Sequence, residues 1–380
     1  MSEWKCYKLN EISSLSNGIN FDKSAYTSGV KLIGVSDFKN RIHPDYNSLQ
    51  EVDSKVVKSG DYLEKGDIVF VRSNGNKELV GRCMIIDRDI PVTYSGFCIK
   101  LHLKDKKRFD PVFFNYLFKT RQFKKSMTGT AVGANIQNLS QSRLGSCEVS
   151  VPDIETQKRI AIILSRYDSL IENYQKQIKL LEEAAQRLYK EWFVDLHFPG
   201  HENTKIVDGV PEGWEKKSIT DVLEIKYGKD HKLLKEGTIP VYGTGGIMRY
   251  VEKSLFTGES VLIPRKGSLN NIMLVGGTFW TIDTMFYSIP KENNVAKIVY
   301  FYLKGVDMYS FNIGAAVPSM TVNILSGMKL LVPNEDVKNK FETIASKYFI
   351  RMHSLQSQLR LLTEARDRLL PKLMSGEITV

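Results

Sequence analysis

Two histidines four residues apart on a helix can hold zinc from one face, and His197 with His201 has that spacing. Pro199 and Gly200 lie between them, so no shared helical face is expected and a zinc pair is not indicated. Gly243 to Gly246 is glycine-rich like a phosphate-binding loop, yet no Gly-Lys-Ser or Gly-Lys-Thr follows it. Lys266, Gly267 and Ser268 carry suitable residue types in the wrong order. The residue types that remain suit binding rather than reaction. Arg72, Ser73, Asn74, Gly75, Asn76 and Lys77 follow one expected strand, and Arg265, Lys266, Gly267, Ser268, Leu269, Asn270 and Asn271 follow another. Arginine pairs with guanine O6 and N7, asparagine with adenine N6 and N7, and lysine with phosphates, so such loops suit the reading of base edges. The bland alternative for either loop is a polar solvated turn. Its occurrence at the same point of two repeats favours binding.

Further cations at Lys104, Lys106, Lys107, Arg108, Arg121, Lys124 and Lys125 can track phosphates, although charge runs are often only solvated faces. Asp110, Pro111, Val112 and Phe113 superficially match the Asp-Pro-Pro-Tyr tetrad of adenine methyltransferases. The second proline and the hydrogen-bonding aromatic are absent, and no glycine-rich cofactor loop accompanies them. A helix start explains them better, with Asp110 as cap and Pro111 at the first helical position. The aromatics of that helix, Phe113, Phe114, Tyr116 and Phe118, and of its later counterpart, Tyr300, Phe301 and Tyr302, read as core. No catalytic residue and no metal ligand is assigned.

Something must hold the two loops. From Ile160 to Trp192 apolar residues recur in a heptad: Ile160, Tyr167, Tyr174, Leu181 and Leu188 alternate with Leu164, Ile171, Ile178, Ala185 and Trp192. So narrow a stripe calls for another helix as partner. At 1.5 Å per residue the segment spans roughly 50 Å, about one and a half turns of duplex DNA. The helix recurs at a constant offset of 181 residues, Leu180 to Leu361. At that offset Phe341, Tyr348, Met352, Leu355, Leu359, Leu362 and Leu369 carry the same register. Two departures stand out. Arg366 falls where Ala185 occupies the stripe, and Pro371 is expected to end or kink the second helix near its last turn.

The repeat extends beyond the helices. Trp4, Leu9, Ile12 and Gly18 meet Trp214, Ile219, Val222 and Gly228 at an offset of 210 residues, which shrinks to 181 along the chain. Strands are expected at Val30 to Val35, Asp67 to Arg72, Arg82 to Asp87 and Phe97 to Leu103, with Gly258 to Arg265 repeating the second of these. A helix is expected at Asp110 to Arg121. A conserved frame with altered loops is the pattern of two modules that do the same job on different targets. The division expected is 1–152 for the first module, 153–198 for the first helical region, 199–333 for linker and second module, and 334–380 for the second helical region. Leu196 to Gly213, rich in proline and glycine, reads as an ordered crossing or linker.

With 380 residues and 42% hydrophobic residues, the chain can bury two or so cores. A net charge of +10 favours a polyanionic partner without choosing among DNA, RNA and anionic lipid. Neither a membrane span nor a signal peptide is expected. Cys6, Cys83, Cys98 and Cys147 lack paired spacing and suit free thiols in a reducing cytoplasm.

Two variable modules, each followed by a long helix, carry further marks: Pro-Glu-Gly-Trp at 211–214, Leu-Leu-Glu-Glu-Ala-Ala-Gln-Arg-Leu at 180–188, Ala-Val-Pro-Ser-Met at 316–320 and Leu-Leu-X-Glu-Ala-X-X-Arg-Leu at 361–369. In these the chain resembles, over essentially its whole length, the specificity subunit of Type I restriction-modification enzymes. The resemblance implies a tandem pair of α/β (α+β) target-recognition domains, separated by two long helices that pair as an antiparallel coiled coil with pseudo-two-fold symmetry. It implies that each domain reads half of a bipartite asymmetric site in double-stranded DNA, and that the helices set the spacing. It also implies a non-catalytic chain in a prokaryotic cytoplasm. The expected partners are two modification subunits, which methylate adenine with S-adenosylmethionine, and restriction subunits that use ATP and Mg2+. The first module departs from the pattern at Gly133 and Ala134, where the second has Pro318 and Ser319. A coiled-coil scaffold presenting two protein-binding modules would share the repeat but lacks a reason for paired basic loops. A Type II-like restriction enzyme would need catalytic residues that are not found.

Overall fold

The computed structural model describes residues 4–38, 41–75, 79–128, 138–311 and 319–380. The chain divides into two compact units, Met1–Gln175 with Ser357–Val380, and Lys176–Gln356. In the first unit, Ser13–Asn17, Cys98–Leu103, Ile68–Val71 and Cys83–Ile85 form an antiparallel sheet in that order. Beside it Tyr26–Ile33 pairs antiparallel with Gln50–Val52 and parallel with Val92–Tyr94. The second unit repeats the plan: Leu223–Tyr227, Met285–Pro290, Ser260–Pro264 and Met273–Val275 form the antiparallel sheet, and Glu236–Gly243 pairs parallel with Thr278–Thr281. In each unit the strand that follows the repeated tryptophan, Trp4 or Trp214, pairs with the strand that precedes the long helix, Lys5–Lys8 with Glu148–Val151 and Glu215–Ser218 with Lys329–Val332.

The expected strands and the aromatic helix are present, with Val35 in a 3-10 turn beyond the strand Tyr26–Ile33 and Arg121 in a separate helix beyond the aromatic one. The aromatic helix runs Pro111–Lys119, and the Asp110 carboxylate accepts from the Phe113 amide at 2.8 Å. Its rings are core, as are Tyr300 and Phe301 in the counterpart helix Ala296–Lys304, whereas Tyr302 is only half-buried. The crossing after the first long helix is ordered: Phe198 stacks on Trp214 with centroids 4.7 Å apart, and Ile206–Val207 pairs with Val210–Pro211.

The long helices are Ile154–Tyr189 and Glu335–Met374. Both start alike. Asp153 caps the Thr156 amide, and Asn334, at the repeat offset, caps the Val337 amide. One turn on, Gln157 is buried and donates to the Arg108 and Pro152 carbonyls. Its counterpart Lys338 is buried between Glu292 at 3.0 Å and Glu335 at 2.5 Å. Within each unit the helices run antiparallel. In the first, Ile160 and Leu164 share a core with Leu373 and Met374, and Asp168 meets Arg366. In the second, Gln177 meets Arg351, and Tyr189 and Trp192 pack on Phe341.

Of the stripe, Ile160, Leu164, Ile171, Phe341, Met352 and Leu355 are buried. Tyr167, Tyr174, Ile178, Leu181, Leu188, Tyr348, Leu359, Leu362 and Leu369 are half-buried, because a two-helix contact covers only one side of each ring or chain. The first helix ends in a π turn, Lys190–Val194, whose extra residue per turn lets the adjacent Trp192 and Phe193 both reach the core. Pro371 does not end the second helix, which continues to Met374. Leu373 and Met374 are buried in the first unit's core and hold the last turn in place.

Glycine is required at one repeated position. A Cβ at Gly18 would lie 2.2 Å from the Tyr94 carbonyl oxygen, and one at Gly228 would lie 2.0 Å from that of Ile282. Gly18→Ala and Gly228→Ala are each expected to cost about 1–3 kcal/mol, because backbone rather than a mobile side chain must move. Thermal unfolding checks this: an unchanged melting temperature would mean that the strands do not approach so closely.

Candidate nucleic-acid interface

The end of the inner strand delivers the same arginine in both units. The Arg72 amide donates to the Phe97 carbonyl at 2.8 Å, and its carbonyl accepts from the Leu139 amide at 2.7 Å. The Arg265 amide donates to Thr284 at 2.8 Å, and its carbonyl accepts from Met320 at 2.8 Å. The next residues form matching backbone bridges, Ser73 with Asn138 and Lys266 with Ser319. Even the side chains agree: Arg72 Nη1 donates to the Gly96 carbonyl at 3.4 Å, and Arg265 Nη1 to the Asp283 carbonyl at 2.7 Å.

What differs is the support beneath. The Arg265 guanidinium lies 4.6 Å from the Tyr227 ring centroid and 5.3 Å from that of Phe286. In the first unit the corresponding strand pair is Asn17 and Ile99, which offers no aromatic face. Arg265 Nε is buried without a hydrogen-bond partner among the described residues. An arginine anchored at one nitrogen and stacked on a ring keeps other N–H groups for a ligand, and it loses less side-chain freedom on binding. Tyr227 is not evident as a site residue from sequence; its signal is its place directly before Gly228, the repeated glycine.

The other candidates divide. Lys266 and Ser268 are exposed beside Arg265. Asn270 is committed to the framework, its amide donating to Asp307 at 3.0 Å and its carbonyl oxygen accepting from the Met308 amide at 2.8 Å. Asn271 donates to the Thr244 carbonyl at 2.7 Å. Ser73 and Asn74 are half-buried next to Arg72, whereas Asn76 and Lys77 lie outside the described residues. Gly133, Ala134 and residues 316–318 also lie outside them. Lys124 and Lys125 are exposed on a separate helix, Arg121–Thr128. Of the basic run after Cys98–Leu103, Lys104 donates to the Asn10 and Glu11 carbonyls and Lys106 to that of Lys65, so both staple loops.

His197 and His201 come closer than their separation by Pro199 and Gly200 suggests, with ring centroids 5.3 Å apart, because Gly200 at φ 97° folds the chain back. Each Nδ1 is engaged, with Glu191 at 2.9 Å and with the Phe198 carbonyl at 2.9 Å. Among the described residues no group of three or more His, Cys, Asp or Glu side chains is placed to hold a metal, and no helix is long and apolar enough to cross a membrane.

The chain is similar to known proteins in sequence and in fold. The family model for the Type I restriction modification DNA specificity domain matches residues 1–183 and 211–355. The chain is 27% identical to the Type I restriction enzyme MjaIX specificity subunit of Methanocaldococcus jannaschii, over 70% of this chain and 68% of that protein. It is 22% identical to the HindI specificity subunit of Haemophilus influenzae across the whole of both chains. In fold it is similar to the S subunit of a Type I restriction-modification system from M. genitalium, with a TM-score of 0.66 at 20% identity, covering 98% of this chain and 96% of that one. With the family model matching both repeats in turn, the chain belongs to the family of Type I restriction-modification DNA specificity subunits.

Proposed function

We propose that each unit reads one half of a bipartite, asymmetric duplex site, with the loops after Arg72 and Arg265 at the base edges and the two long helices setting the spacing between halves. As a specificity subunit the chain is the non-catalytic component. Chemistry then falls to partner subunits in a prokaryotic cytoplasm: two modification subunits that methylate adenine with S-adenosylmethionine, and restriction subunits that use ATP and Mg2+. The corresponding division is 1–152 and 199–333 for recognition, with 153–198 and 334–380 as spacers. The observation that carries this reading is the twofold recurrence of one anchored arginine, with its amide, carbonyl and guanidinium held by matching backbone groups in both units.

Modified-base sequencing of host DNA tests it, with the gene intact, deleted, or carrying Arg72→Ala or Arg265→Ala. Deletion is expected to erase one split motif bearing N6-methyladenine. Each alanine variant is expected to relax one half of that motif only, by about 1–3 kcal/mol if the arginine grips a guanine. Loss spread evenly over all sequences would make these arginines phosphate contacts. A methylome unchanged on deletion would sink the proposal.

A further inference from the structure

Where the two units differ is where they would read different bases. Tyr26–Ile33 of the first unit pairs antiparallel with the distant Gln50–Val52, whereas its counterpart Glu236–Gly243 turns at once through Thr244 and Gly245 into Gly246–Val251. This hairpin strand is the edge of its sheet. It carries Ile247, Met248 and Tyr250 into solvent, Met248 at 58% exposure. An apolar edge strand is an aggregation liability that folded proteins ordinarily blunt with charge, so its retention calls for an occupant.

The hairpin is continuous with the arginine loop. A Cβ on Gly267 would lie 3.3 Å from Thr244 Oγ1, and Asn271 donates to the Thr244 carbonyl. A Cβ on Gly243 would lie 2.3 Å from Met248 Sδ and 3.2 Å from Ile282 Cδ1, so the bare glycine lets Met248 lie across the turn. Ile282 directly precedes Asp283, whose carbonyl holds Arg265. On the other side Arg249 donates to the Leu234 carbonyl and ties in the loop of Lys229, Lys232 and Lys235, on which Leu233 is 99% exposed. The patch is therefore apolar at its centre and mainly cationic at its rim, which complements a groove walled by phosphates.

We propose that the Thr244–Met248 hairpin is a second reading element of this unit, in which Met248 packs on the methyl group of a thymine next to the base read by Arg265. This rests on the recognition function proposed above. The chemistry fits because the thymine methyl is the apolar group among the base edges of the major groove, and a thioether adapts its shape to such a target.

The test uses the full chain in complex with its modification subunit and a duplex bearing the mapped site. The half read by this unit is identified through Arg265→Ala. Each thymine of that half is replaced singly by deoxyuridine, which lacks only the methyl. The expected result is about fourfold weaker binding at one or two positions, the size of one buried methyl. Met248→Ala, an exposed substitution that leaves the fold intact by circular dichroism, should weaken the thymine duplex by a similar factor and be indifferent to uracil. Binding insensitive to uracil throughout that half overturns the inference, as does undiminished uracil sensitivity in Met248→Ala. A variant that reads DNA normally but loses its modification subunit assigns the face to that partner instead. No preference for the mapped duplex over a scrambled one would defeat the recognition function itself and this inference with it.

Discussion

Arg366→Ala alone is expected to destabilise the first unit by about 2–4 kcal/mol, as it leaves Asp168 charged and unpaired in a largely enclosed place, and Asp168→Ala by less, because Arg366 keeps Asp367 at 2.8 Å. Arg366 Nη1 lies 2.6 Å from Asp168, whose side chain is 8% exposed, and the other carboxylate oxygen of Asp168 accepts from the Tyr116 hydroxyl. The figure is set below that for a wholly buried pair because the Arg366 side chain is 23% exposed. The repeat itself supplies the control. At the offset of 181 residues Asp168 corresponds to Phe349 and Arg366 to Ala185. Phe349 packs on Tyr300 and Phe301 with centroids 5.7 and 5.8 Å apart, and Ala185 is fully buried, so the second unit fills the same position without charge. Asp168→Phe with Arg366→Ala should therefore recover part of the loss. The remainder, about 1–3 kcal/mol, belongs to the Tyr116 hydroxyl stranded without its acceptor, and adding Tyr116→Phe should remove it. Urea unfolding followed by a probe in the first unit measures this, and the two units can melt separately. Single variants within about 0.5 kcal/mol of wild type would mean that the pair contributes nothing to stability.

That position also shows how far sequence carries. Features governed by a single local rule are legible: Asp110 and Pro111 at a helix start, the heptad, and the offset that pairs Gly18 with Gly228. Each depends on neighbours close in the chain or on identity between repeats. Arg366 looks like a flaw in the heptad because its partner, Asp168, lies on the other long helix, and no spacing rule links them. Local grounds alone make Pro371 end or kink the helix, but burial of Leu373 and Met374 just beyond it outweighs the lost hydrogen bond. The candidate loops are legible as loops, not as contacts. Asn270 and Asn271 carry the residue type that reads adenine, yet both amides are committed to the framework. Composition cannot tell an asparagine that faces a ligand from one that closes a turn. Met248 is inconspicuous because an apolar residue in a strand reads as core, and only the sheet order reveals that its strand is an edge.

Lengthening both long helices by three heptads, after Gln175 in the first and after Gln356 in the second, is expected to abolish methylation at the original sites and create it at sites with a longer spacer. The insertions fall where the two units divide, so neither core is interrupted. Whole heptads keep the apolar stripes facing each other, and matching insertions keep an antiparallel pair in register. At 1.5 Å per residue the added length is roughly 32 Å, or about nine base pairs of duplex. That length is chosen for rotation as well as reach. A single heptad adds about 10 Å, near three base pairs, which would turn the second half-site about a third of the way around the duplex and present the wrong face. Three heptads return it to nearly the same face, so a single-heptad variant should methylate poorly whatever spacer is offered. Modified-base sequencing reads the outcome directly: the bases of both halves should be unchanged and only the number between them should grow. An unaltered spacer in a stable, methylating variant would show that the distance is set by something other than these helices. New bases in either half would show that the helices also shape the reading surface.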